Sequence, residues 1–164
     1  MPTTKRKTST KPRVQDDAIS LLKKDHEKVR GLLSQLERAA ERNTAKAEQL
    51  LAQIDREVKI HSQIEEEIFY PAFRDAAQAR DDRELYFEAK EEHHVVDMVM
   101  PEVRQTDSEA EEFAAKAKVL KELIEHHAKE EEKSMFPKAR KLFDRAELRE
   151  LGDRLKERKK ELMR

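Results

Sequence analysis

Cysteine does not occur anywhere in this sequence. Its absence removes disulfides, thiolate zinc sites, iron–sulfur clusters and thiol catalysis together. Glycine (2 residues) and proline (5 residues) are scarce, so the chain carries little of the punctuation that interrupts regular structure. No apolar run approaches the ~20 residues that a membrane helix needs, and no membrane partner is expected. The opening MPTTKRKTSTKPR is basic but lacks the apolar stretch of a secretory signal, so a cytoplasmic location is the expectation. Charge of one sign is not in excess either. The formal net charge is −1, which supplies no field to draw nucleic acid or anionic lipid, and no nucleic-acid partner is expected.

What remains is a helix-forming composition. The 164 residues are enough for one ordinary domain, and 43% are charged, with Leu, Ala, Glu, Lys and Arg prominent. Residues 1–15 are Ser, Thr, Pro and cations, including Lys5, Arg6, Lys7, Lys11 and Arg13, and read as a disordered basic arm. Four helices are expected near 16–41, 44–70, 82–105 and 108–135. Asp16 and Asp17 offer N-caps for the first, and RNT, RDD and TDSE mark the later breaks. Thr106 and Glu109 have capping-box spacing. Pro71 and Pro137 stand where their helices must bend or stop, and Pro101 predicts a kink in the third. A fifth segment, 144–163, opens at Asp144 and has a thin apolar set (Leu148, Leu151, Leu155, Leu162), so a peripheral C-terminal helix is expected. The resulting division is 1–15 arm, 16–140 bundle and 141–164 C-terminal helix. Short connections make successive helices antiparallel, so the predicted fold is all-α, an up-down-up-down four-helix bundle.

Each main helix carries an inward stripe with spacings of three and four. The first reads Ile19, Leu22, His26, Val29, Leu33, Leu36, Ala40; the second Ala47, Leu51, Ile54, Val58, His61, Glu65, Ile68, Ala72. The third reads Tyr86, Ala89, His93, Val96, Met100, Val103; the fourth Phe113, Ala117, Leu120, Ile124, His127, Glu131, Ser134. Every stripe holds one histidine where an apolar residue belongs, and two also hold a glutamate. Turning His94 or His126 inward instead would align mostly charged rows, which places those two at the rim.

Intervals of 35, 32 and 34 residues separate the four inward histidines, each close to one helix plus a loop. At ~1.5 Å per residue, all four fall roughly 12–17 Å from the same end of an antiparallel bundle. Four imidazoles and two carboxylates therefore converge on one layer. A buried carboxylate costs several kcal/mol unless it is well paired, and no Lys or Arg occupies the stripes at that level. Cations satisfy all six groups together. Mixed nitrogen and oxygen donors without sulfur suit iron or manganese, and zinc less specifically, and two carboxylates are the number needed to bridge a metal pair.

The stretches HSQIEEEIFYP and HAKEEEKSMFP repeat one arrangement, in which a histidine precedes a glutamate by four and a proline by ten. Together with KKDHEKVRGLL and EEHHVVDMV, they resemble the hemerythrin-like family, the HHE cation-binding domains, over about 17–140. The resemblance implies an up-down four-helix bundle holding two non-haem iron ions, bridged by two carboxylates and an oxo or hydroxo group. It implies His26, His61, His93 and His127 as terminal ligands and Glu65 and Glu131 as bridges. One position departs from the oxygen-carrying members, which have a second histidine four after the third-helix ligand; here Asp97 stands there. Asp97, His94 and His126 are therefore additional candidates, or one metal keeps a water.

A site closed incompletely favours sensing or reactive chemistry over gas carriage. The first expectation is a di-iron protein that senses or buffers oxygen, nitric oxide, peroxide or iron. The second is an enzyme that decomposes hydrogen peroxide or reduces nitric oxide, with Tyr70 or Tyr86 as a redox participant. The third is a structural or adaptor bundle. A small-molecule partner such as O2, NO or H2O2 and a monomer or weak oligomer go with the first two.

Overall fold

A computed structural model describes residues 16–164. The arm expected over 1–15 lies outside the described residues. Among the described residues every regular element is helical: α1 Ala18–Ala40, α2 Thr44–Ile64, α3 Tyr70–Ala76, α4 Arg80–Gln105, α5 Phe113–Glu130, α6 Phe136–Leu142 and α7 Arg145–Met163. Two π turns, Glu65–Phe69 and Glu131–Met135, join α2 to α3 and α5 to α6 without an intervening loop. None of these helices is long and apolar enough to cross a membrane.

Several boundaries follow directly from side-chain caps. Asp17 accepts from the Ser20 amide at 2.8 Å, and Asn43 accepts from Lys46 at 3.0 Å. Asp144 and Glu147 form a reciprocal capping box, each side chain accepting from the other's amide. The box expected at Thr106 and Glu109 does not form. The Thr106 hydroxyl instead donates to the Glu102 carbonyl, Asp107 accepts from the Glu109 amide, and α5 begins only at Phe113, whose buried ring anchors it. Asp82 likewise is no cap. It lies within α4 and pairs with Lys138. Pro101 does not interrupt α4; it is exposed, where the carbonyl left without a partner can face water.

Pro71 and Pro137 do not stop their helices either. In each π turn an amide reaches five residues back, Tyr70 to the Glu65 carbonyl and Phe136 to that of Glu131. The extra residue lets the proline enter the first turn of the next helix, where its missing N–H is not needed. It also shifts the buried face by one position. The stripes continue not through Ile68, Ala72 and Ser134, which are half-buried, but through Phe69, Tyr70 and Phe73, and through Met135, Phe136 and Ala139.

Two apolar clusters build the interior. One takes the C-terminal half of α1, the N-terminal half of α2, the C-terminal half of α4 and the N-terminal half of α5. The other takes the opposite ends of the same segments, with the chain beyond each π turn. This alternation places neighbouring segments head to tail, and α1, α2, α4 and α5 contact one another in a ring. Between the clusters lies the histidine layer. Helix α7 sits outside that layer against α1 and α2, yet its Leu148, Leu151 and Leu155 are buried in the second cluster.

At Gly152 the backbone of α7 closes on the start of α1. A β-carbon there would lie 2.8 Å from the Ala18 nitrogen and 2.9 Å from the Asp17 carbonyl carbon, both backbone atoms that cannot swing away. Gly→Ala within a helix ordinarily stabilises by up to ~1 kcal/mol. Here Gly152→Ala is expected to lower stability by about 1–3 kcal/mol, the usual range for overpacking, as read by chemical denaturation. A gain in stability would show that α7 does not dock this closely.

Candidate metal centre

The i, i+4 spacing of a helix brings His61 over Glu65 and His127 over Glu131, with Nε2 to carboxylate distances of 3.1 and 3.6 Å. Helices α1 and α4 supply His26 and His93 from the other sides. Ring nitrogens Nε2 of His26 and His61 approach to 3.1 Å, and those of His93 and His127 to 3.0 Å. Glu65 spans the two pairs, with Oε1 3.1 Å from His61 and Oε2 3.2 Å from His93. Oε2 of Glu131 lies 3.2 Å from His26 as well as 3.6 Å from His127. Donor atoms of His26, His61, Glu65 and Glu131 all fall within 4.8 Å of one another, as do those of Glu65, His93 and His127. All six residues are buried.

Each imidazole is held from behind by a carboxylate on a different helix. Nδ1 of His26 donates to Glu132 at 2.8 Å, that of His61 to Asp25 at 3.3 Å, that of His93 to Glu66 at 2.8 Å and that of His127 to Glu92 at 2.6 Å. A carboxylate on Nδ1 fixes that nitrogen as the protonated one and leaves the Nε2 lone pair facing the centre. Three of these carboxylates have a further partner. Arg30 clamps Glu132 through two nitrogens, Lys159 of α7 pairs with Asp25, and His126 lies 3.3 Å from Glu92. Sequence reasoning missed this ring. Glu66 and Glu132 lie in EEE runs off the inward stripes, and Asp25 and Glu92 each precede a ligand-type histidine without any periodic signal.

The additional candidates do not join the cluster. His94, Asp97 and His126 are exposed on the outer faces of α4 and α5. Asp97 lines a surface groove with Lys59, Gln63 and Glu67, and His126 meets Glu92 from outside. What reaches the centre in their place is Tyr70, moved inward by the π turn. Its hydroxyl donates to Glu131 Oε1 at 2.6 Å and lies 3.3 Å from Glu65, 3.1 Å from His93 and 3.5 Å from His127. Tyr86 stays in the apolar wall, its ring perpendicular to that of Tyr70 at 6.3 Å. The equivalent of Tyr70 in the second repeat is Phe136, which stacks on His26 at 5.7 Å.

The donor set fits cations. Lone pairs from paired Nε2 atoms point at each other across about 3 Å, and Glu65 Oε1 and Glu131 Oε2 are buried without accepting a hydrogen bond. Without metal, protons meet part of this need. Burial pushes the His61 imidazole down, but the Glu65 and Asp25 carboxylates outweigh it and raise it from 6.5 to about 10. His93 rises to about 9 against burial, through Glu65 and Glu66. Burial acts to raise Glu65, yet His61 and His93 hold it well below its ordinary range. Burial, with Glu131 and Glu65 beside it, keeps the Tyr70 phenol protonated.

A small apolar cavity of about 30 Å³ opens on the imidazoles, walled by Val29, Val58, Val96 and Ile124 and edged by Arg30. It has room for about one water-sized molecule.

These shifts set the pH dependence of the metal-free chain. Raised histidines contribute stability that is complete below about 6.5 and lost as pH climbs through about 9 and 10. The lowered Glu65 contributes stability present above about 4.5 and lost on acidification. Metal-free protein is therefore expected to melt highest between about pH 4.5 and 6.5. Calorimetry across the range checks this, and a melting temperature that climbs on the alkaline side contradicts it.

A family model for the hemerythrin HHE cation-binding domain matches residues 17–139. Among solved structures, the chain resembles a hemerythrin HHE cation-binding domain-containing protein from Mycobacterium kansasii, with a TM-score of 0.78 and 28% identity over 90% of this chain and 87% of that one. It is also 26% identical over 116 residues to a DNA nickase from Nostoc sp. (strain PCC 7120 / SAG 25.82 / UTEX 2576), covering 71% of this chain but only 31% of that protein. The stripes, the paired HxxxE repeats and the buried donor cluster thus coincide with the matched span, and the chain belongs to the hemerythrin HHE cation-binding domain family.

Proposed function

We propose that residues 16–140 form an up-down-up-down four-helix module, extended by the helix of 141–164, that holds two non-haem iron ions and uses them to sense or buffer a small redox-active molecule. Dioxygen, nitric oxide, hydrogen peroxide and iron itself are the candidate ligands. Cytoplasmic placement and a monomer or weak oligomer belong to the same reading. The observation that carries it is Glu65, whose two oxygens each face a histidine from a different pair. A carboxylate placed that way suits two cations rather than one.

In this reading His26, His61, His93 and His127 would hold the ions together with Glu65 and Glu131. Bound iron supplies Lewis acidity and a one-electron redox change. The chain supplies the rest. Asp25, Glu66, Glu92 and Glu132 keep the four rings in one tautomer, and the apolar cavity limits access to small uncharged molecules. Tyr70 places a hydroxyl proton among His93, His127 and Glu131.

That hydroxyl favours a second reading, an enzyme that consumes peroxide or nitric oxide, because turnover needs a proton donor at the centre. The DNA nicking of the Nostoc relative belongs to a protein of which the match covers 31%, and it is not part of either reading.

Protein purified without chelator is expected to carry about two irons per chain with near-ultraviolet charge-transfer absorption, the proportion that a shared carboxylate implies. Glu65→Ala and His127→Ala are expected to lose iron and stability, and His126→Ala to lose little of either. Equal loss at His126 would show that the inward face has been misassigned. Metal-free protein with full stability would leave only a structural bundle. Oxygen release from hydrogen peroxide that drops at least ~10-fold in Tyr70→Phe, with iron retained, would select the enzyme over the sensor.

A further inference from the structure

The metal centre has two approaches of opposite character. The apolar cavity described above opens on the four imidazoles and is edged by Arg30. Separately, between α4 and the second π turn lies a cavity of about 20 Å³ whose polar lining is entirely acidic: Glu88, Glu92, Glu130 and Glu131. Its remaining walls are apolar, with Leu85 and Met135 among them, and no Lys or Arg lines it.

The four carboxylates descend in exposure. Glu88 is exposed, Glu92 and Glu130 are half-buried and Glu131 is buried. Glu88 and Glu130 have no ion-pair partner among the described residues. At the inner end stands Glu131, 2% exposed, whose Oε2 accepts no hydrogen bond. Unpaired carboxylates in a solvated row would be an ordinary surface. Here the same lining includes Glu131, a member of the donor cluster with a buried, unsatisfied oxygen.

We propose that this opening is the entry site for divalent cations, which Glu88 and Glu130 gather and Glu131 takes up. The proposal rests on the metal-centre reading and adds the route by which the centre fills. Like-signed charge in a cleft with low-dielectric walls concentrates counter-ions and raises capture rates by ~10- to 10³-fold. Hard oxygen donors can replace the water that a divalent ion sheds on the way in. A cavity of about 20 Å³ has room for about one water-sized body, so passage requires that exchange. The same acidic lining repels anions.

The test uses the full chain stripped of metal by a chelator, mixed anaerobically with ferrous iron at low ionic strength. Iron still accessible to a chromogenic ferrous chelator is followed in time. Glu88→Gln with Glu130→Gln is expected to load at least ~10-fold more slowly, to reach the wild-type iron content, and to lose most of the difference at ~0.5 M salt. Glu122→Gln, a change at an exposed acid elsewhere on α5, is expected to load at the wild-type rate. Wild-type loading by the double variant overturns the route while leaving the centre intact. A lower final iron content overturns it too, by making the pair part of the holding site. Failure of wild-type protein to retain iron overturns the centre and the route together.

Discussion

Two carboxylates, Glu65 and Glu131, stand 0% and 2% exposed between two apolar clusters, and the rest of the molecule is arranged to tolerate them. An unpaired buried carboxylate costs several kcal/mol, and two that converge also repel. The chain answers with shells of alternating demand. Four imidazoles surround the pair, four more carboxylates hold the imidazoles, and Arg30 and Lys159 neutralise two of those from outside. Each shell leaves a requirement that the next one meets. The innermost requirement, opposed lone pairs and unsatisfied oxygens, is the one the protein's own side chains do not meet except by binding protons.

The two HxxxE repeats show how a local backbone device serves this centre. Each π turn begins at the buried glutamate itself, and π turns inside α-helices are often found at functional sites. The widened turn accommodates the proline that follows it and rotates inward the aromatic residue just before that proline. In one repeat that residue is Tyr70, in the other Phe136. Both lie against a histidine, Tyr70 on His93 and Phe136 on His26, so the packing is nearly equivalent. A single hydroxyl breaks the equivalence. One half of the centre has a protic group and the other has only a ring face.

Much of the frame was legible from residue order. Spacings of three and four picked out every inward histidine, and they separated His93 from His94 and His127 from His126 correctly. The same spacings failed beyond Glu65 and Glu131, where Ile68, Ala72 and Ser134 gave way to Phe69, Tyr70, Met135 and Phe136. A periodicity argument assumes a constant turn, and a π turn violates that assumption by one residue. The Thr106 capping box failed for a different reason. A fitting pair of side chains competes with other local bonds, and Thr106 bonds backward to Glu102 instead.

Residue types and their order settled whatever is local to one helix: the all-helical class, the inward edge of each helix as far as its π turn, and candidate donors without sulfur. Packing between helices settled the remainder. It chose Asp25 for His61, Glu132 for His26, Glu66 for His93 and Glu92 for His127, and it left Asp97, His94 and His126 outside. Those pairings join residues from 27 to 106 positions apart. Spacing along one helix says which side a residue faces. How far each helix is turned against its neighbours, and hence which carboxylate meets which ring, comes from fitting every apolar side chain into one interior at once.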